Sequence, residues 1–157
     1  MLSPGLCGQI TEVGTANSWL LVTRAIPTAG VKLYEHNSSS LTLYNLDLSE
    51  YATIDFPALP VGHSYFGPQF MTESTFDTDP QSIELVMMVN GPNSVLGTRV
   101  FRDDGTILLD ELGHTLNIAS GSELGMSPPV FVGEDGITYL SLTTYPTNPP
   151  ASTKLFQ

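Results

Sequence analysis

Residues Gln69–Glu111, QFMTESTFDTDPQSIELVMMVNGPNSVLGTRVFRDDGTILLDE, decide the fold. Short apolar segments alternate there with groups of turn formers. Gln69–Glu73 and Ile83–Val89 flank STFDTDPQS, Gly97–Phe101 follows NGPNS, and Thr106–Leu109 follows RDDG. Asp104-Gly105 between two apolar runs is a strong hairpin signal, because glycine enters positive φ without a Cβ clash. Asn90-Gly91-Pro92 reads as a second turn, since Pro92 lacks the N–H that a central ladder needs. Ile83–Val89 is a short, largely apolar run. Its shortness, with Pro80 before it and Gly91 after it, makes it a strand.

Both flanks echo this stretch. Upstream, QITE (Gln9–Glu12) precedes SWLLVTRA, VKLYEH and SLTLYNL; downstream, VFVGE (Val130–Glu134) precedes ITYLSLTTY and TKLFQ. Glu12, Glu73 and Glu134 recur at equal spacing, each closing the first strand of a unit. The third strand carries a basic-aliphatic-aromatic triplet each time: Lys32-Leu33-Tyr34, Arg99-Val100-Phe101 and Lys154-Leu155-Phe156. Read this way, residues 1–157 form a single all-β domain of four-stranded antiparallel, blade-like units. The units cover about 9–46, 69–111 and 130–157, the last one incomplete, in a partial propeller-like arrangement. A β-trefoil and a β-sandwich are the competing architectures. Asp47–Gly67 reads as a connection, with YATIDF as an optional extra strand and PALPVGHSYFGP as loop; Leu112–Ser127 is a second connection in which HTLNI pairs briefly. An unfinished last unit leaves backbone groups for another segment, a second copy of the chain or water to satisfy. A homo-oligomer through that edge is therefore one expected arrangement.

Composition removes several function classes. Sixteen acidic residues face five basic ones, a net charge of −11 over 157 residues. Nucleic-acid affinity comes from Lys and Arg neutralising phosphates, so a nucleic-acid partner is excluded, and attraction to anionic lipid is disfavoured for the same reason. No apolar run approaches the length that crosses a bilayer, so no membrane insertion is expected. MLSPGLCGQ lacks the basic and apolar regions of a signal peptide. The acidity suits solubility in an extracellular or saline setting. Cys7 is the sole cysteine, which rules out an internal disulfide.

Few constellations carry chemistry. In FDTDP (Phe76–Pro80), Asp77 and Asp79 are the candidate Ca²⁺ ligands, two carboxylates that a turn could aim at one hard cation. The closing bidentate glutamate of a calcium loop is absent, which favours an Asx turn in which each carboxylate accepts main-chain N–H groups. No other cofactor is indicated. His36, His63 and His114 lie far apart without zinc-site spacing, and no G-x-S-x-G elbow occurs. No catalytic residue is assigned, and the expectation is a protein that is not an enzyme. Tyr34, Tyr44, Tyr65 and Phe66 are the aromatics that would stack on sugars from an exposed strand face.

Three pieces together resemble a known pattern: LYNLDLSEYATIDFPALP (Leu43–Pro60), FDTDPQSIEL (Phe76–Leu85) and FRDDGTILL (Phe101–Leu109). Their order is similar to the β-rich region that precedes the C-terminal sorting tail of type IX-secreted Bacteroidota proteins. Thr153–Gln157 (TKLFQ) is where that family moves toward its tail. Leu48 departs from the pattern, standing where glycine is usual. The resemblance implies an extracellular or cell-surface bacterial β-module within a longer protein, and it supplies no catalytic residues. The expected function is thus non-catalytic, structural or interactive, with a protein or glycan partner at the cell surface. A carbohydrate-binding module, a self-assembling surface subunit and a small hydrolase are the alternatives.

Overall fold

The computed structural model describes residues 14–16, 20–23, 26, 28–73, 75–76, 82–116, 130–132, 134, 136, 138–143 and 153–157. They form an all-β structure, and no α-helix occurs among them. The first sheet is an antiparallel meander of β1 (Leu21–Val22), β2 (Leu33–His36), β3 (Ser40–Tyr44) and β4 (Glu50–Asp55). The second is a like meander of β5 (Ser64–Thr72), β6 (Glu84–Asn90), β7 (Leu96–Arg102) and β8 (Ile107–Glu111). In the third, β11 (Thr138–Thr143) pairs along one edge with β12 (Thr153–Phe156). Along its other edge it pairs with β9 (Thr115–Leu116) and β10 (Val130–Val132), which lie end to end. No sheet closes into a barrel among the described residues.

The order of the layers explains the composition of β6. Leu85 and Met87 face Leu41, Leu43 and Ile54 of the first sheet, together with Ile83 and Phe101. Val86, on the opposite face of the same strand, packs with Val100 against Leu140 and Leu142 of the third sheet. The second sheet is therefore the middle layer. A strand buried on both faces has no solvent side to mark with polar residues, so Leu85–Val89 reads as an unbroken apolar run. Each of these large side chains contributes about 1.5–3 kcal/mol on burial. Phe56, Tyr65 and Phe101 add a ring cluster with centroids 4.9–6.0 Å apart where the first sheet meets the second. The far side of the first sheet is polar: the Thr42 and Thr53 hydroxyls lie 3.1 Å apart, and Tyr44 Oη donates to Glu35 Oε1 at 2.6 Å.

Several expectations need correction. β4 is a full member of the first sheet, paired with β3 from Ser40↔Asp55 to Tyr44↔Glu50, so that sheet runs past position 46. Ser64–Pro68 is strand rather than loop. Two irregularities in the β5–β6 register, at Tyr65/Gly67 and Pro68/Phe70, accommodate Gly67 and Pro68, and β5 is an edge strand on which proline is tolerated. The first basic triplet does not occupy a third strand: Lys32 directly precedes β2, the second strand of its sheet. Glu73 is buried whereas Glu134 is exposed, so these two positions are not equivalent. Gln9–Glu12 lies outside the described residues.

The turns form as their residues dictate. Between β7 and β8, Gly105 takes φ of 85°, its N–H donates to Arg102 O at 2.9 Å, and Asp104 Oδ1 accepts from Thr106 N at 2.8 Å. The β6–β7 turn contains a short 3₁₀ segment, Pro92–Ser94, in which Asn93 and Ser94 both have positive φ.

Candidate functional site

Charged side chains inside the stack are few, and their partners fix what they can do. Arg99 on β7 is only 2% exposed. Its Nε and Nη2 donate to the two oxygens of Asp110 on β8 at 3.1 and 2.7 Å, a bidentate pair. Its Nη1 donates to Ala58 O at 2.8 Å and to Tyr65 Oη at 3.2 Å, and Tyr65 Oη donates in turn to Pro57 O at 2.8 Å. One guanidinium thus ties β7, β8, β5 and the segment after β4. Burial pushes the Tyr65 phenol above its ordinary value, against the opposing pull of Arg99.

Two buried carboxylates do similar work. Glu73, 3% exposed, accepts from Thr28 N, Thr28 Oγ1 and Ala29 N at 2.5, 2.7 and 3.3 Å, so it holds the β1–β2 loop from the second sheet. Lys32 Nζ holds the same loop, donating to Ala29 O at 2.6 Å while lying 4.3 Å from the centre of the Tyr51 ring. Glu84, fully buried, accepts from Thr75 N at 2.9 Å and Phe76 N at 3.0 Å, anchoring the chain that leaves β5. A carboxylate inside the run IELVMMV was the sequence signal for this anchor. Its donors could not be read, because they lie in a different turn.

A third cluster joins the second and third sheets. Glu111 at the end of β8 receives Lys154 Nζ of β12 at 2.7 Å and lies 2.9 Å from His114 Nδ1. Burial alone would raise the Glu111 carboxyl; the hydrogen bonds from Lys154 and His114 outweigh it and hold the group below its usual range. His114 and Glu111 would suit the base and orienting roles of a nucleophile-activating set. Lys154 shares the carboxylate, however, so Glu111 bridges the Lys154 ammonium and the His114 ring and ties the second sheet to the third. Sequence reasoning missed this cluster, since Lys154 and Glu111 are distant in the chain and no local motif links them.

The remaining candidates are not brought together. The His36 ring lies against Gly67, the His63 ring lies against Gly91, and His114 sits on Glu111. Of the four aromatics, Tyr34 and Tyr65 pack on the core and Tyr44 is hydrogen-bonded to Glu35, while Phe66 is 66% exposed. Asp77, Asp79 and Cys7 lie outside the described residues. Among those described, no group of three or more His, Cys, Asp or Glu side chains converges as a metal site would require. No described helix is long and apolar enough to cross a membrane. A small apolar groove of about 150 Å³ opens between the second and third sheets, lined by Phe76, Leu108, Leu109, Leu140 and Phe156. The chain matches no protein-family model, no curated protein and no solved structure.

Proposed function

We propose that this chain is a non-catalytic β-module of a secreted or surface bacterial protein, with a structural and interaction role beside the active part of a larger polypeptide. One observation carries the reading: the most deeply buried charged groups, Arg99, Glu73 and Glu84, are committed to loop main chain and cross-strand neighbours. A catalytic acid or base must reach a substrate atom, and these groups hold the scaffold instead. The net charge of −11 fits an extracellular setting. The stretch Leu43–Pro60 adds support for the type IX resemblance, because Leu48, standing where that pattern has glycine, adopts φ of 68°. The propeller-like reading is supported by meander sheets that follow one another in chain order and stack face to face.

Protease treatment of intact cells that make the protein tests the location. Loss of the chain from the cell surface, or its recovery from the medium, is expected; a fully protected cytosolic pool would overturn it. The catalytic part is tested separately with chromogenic esters and glycosides. Turnover that disappears in a His114→Ala variant would replace this reading with an enzyme.

The carbohydrate-binding alternative retains one favourable observation, the outward-facing ring of Phe66. Binding on a glycan array that is lost in Phe66→Ala would establish it.

A further inference from the structure

The turn between β2 and β3 carries the stretch Glu35-His36-Asn37-Ser38-Ser39. Asn-x-Ser with a residue other than proline in the middle is the acceptor pattern for N-linked glycosylation. The carboxylate of Glu35, two positions ahead of the asparagine, accepts from Tyr44 Oη at 2.6 Å. Such a pattern is short, so geometry must decide whether it is presented.

Here it is presented well. Residues 36–39 are all exposed at the tip of the hairpin. Asn37 N donates to Ser40 O at 3.0 Å, which closes the turn, and Phe56 N donates to Ser39 O at 2.7 Å, which fastens it to the sheet. The Asn37 side chain is set by the same turn. Its Oδ1 accepts from Ser39 N at 2.7 Å, Ser40 N at 2.9 Å and Ser39 Oγ at 3.0 Å. Its Nδ2 donates one proton to Ser40 Oγ at 3.0 Å. An amide nitrogen carries two protons, so the second stays available for replacement without breaking that bond. Three donors on Oδ1 draw charge onto the oxygen and make the Nδ2 proton easier to remove. One of them is the Ser39 hydroxyl, the residue that the acceptor pattern specifies.

We propose that Asn37 is an N-linked glycosylation site that takes its glycan from a lipid-linked diphospho-oligosaccharide. Nδ2 gives up one proton to a base of the transferase and forms a bond to C1 of the first sugar. The bond from C1 to the diphosphate oxygen breaks, and the lipid diphosphate leaves with that electron pair. Nothing is oxidised or reduced. In the cell the modification rests on the exported location proposed above, because transfer takes place beyond the export membrane.

Transfer in vitro separates the two claims. The folded chain is incubated with a purified single-subunit bacterial oligosaccharyltransferase and a short lipid-linked oligosaccharide, then read by intact mass and peptide mapping. One glycan increment on the peptide containing Asn37 is expected. It is lost in Asn37→Gln and Ser39→Ala and retained in Ser39→Thr, with thermal melts confirming that each variant folds. No transfer to the folded chain, when a free peptide of the same sequence is modified, overturns the proposal. So does an increment that persists in Asn37→Gln. Neither result depends on export, which the protease treatment of intact cells reports independently.

Discussion

Leu48 is the residue most at odds with its own backbone. It closes a turn in which its N–H donates to Asn45 O at 2.9 Å and Asn45 N donates to Ser49 O at 2.8 Å, and it does so at φ of 68°. A side chain in this left-handed region costs about 1–2 kcal/mol, whereas glycine enters it freely. Glycine also loses roughly 0.5–1 kcal/mol through the greater freedom of the unfolded chain. Leu48→Gly is therefore expected to stabilise the protein by about 0.5–1 kcal/mol, read as a higher melting temperature; an unchanged or lower one would mean that the Leu48 side chain contributes packing of equal size. Arg99 is the opposite case. Arg99→Met takes the donor from the Ala58 carbonyl and leaves Tyr65 Oη only its bond to Pro57 O, and should cost about 3 kcal/mol in urea unfolding. Asp110→Asn should cost under about 1 kcal/mol, since the Asp110 side chain is 39% exposed and its half of the pair is screened by water. Equal losses would show that the main-chain bonds of Arg99 add nothing.

At the level of the strand, close approach matters more than propensity. A Cβ on Gly97 at the start of β7 would lie 2.6 Å from Leu112 Cα and 2.9 Å from Leu112 O, both main-chain atoms that cannot swing aside. Gly97→Ala should destabilise by about 2 kcal/mol. Gly105→Ala, with open space around it and only its φ to strain, should lose about 1 kcal/mol. Equal effects would place the restriction at Gly97 in the backbone angles rather than in the contact with Leu112. The strands β6, β7 and β8 were legible within a residue or two because their turn signals, Asn90-Gly91 and Asp104-Gly105, are local. The first half of β5 was not, because Gly67 and Pro68 look like breakers until the strand is known to be a bulged edge. In the sequence β4 reads only as an optional strand, because YATID belongs to a sheet through its pairing with β3, which the hydrophobic pattern does not record. The polar anchors were hidden for the same reason: Glu73 reaches Thr28, Arg99 reaches Ala58 and Glu111 reaches Lys154 across long stretches of chain.

For the whole molecule, the layering sets the order of stability. The second sheet has apolar neighbours on both faces, so β6 and β7 should show the slowest amide exchange of the described strands. The third sheet is held by Leu140 and Leu142 against Val86 and Val100, with the Glu111–Lys154 pair at its margin. The Glu111 carboxyl is held low in the folded state, so its contribution is present above the unfolded value of about 4.3 and is lost as pH falls through the lower folded value. Glu111→Gln should flatten that acid limb of the stability curve while leaving β6 exchange at neutral pH unchanged; an unaltered limb would remove the pair from the account. Cutting the apolar contact is a stronger intervention. Leu142 is fully buried, and an aspartate there would lie in an apolar layer without a partner built for it. Leu142→Asp should release the third sheet first, speeding amide exchange in β11 and β12 and opening the chain beyond Leu116 to protease. Leu85 and Met87 would keep their contacts with Leu41, Leu43 and Ile54, so β6 should lose protection on one face only and stay folded. Simultaneous loss of protection in β3, β6 and β11 would mean that the layers unfold as one unit, and that the middle sheet cannot keep its fold when covered on a single side.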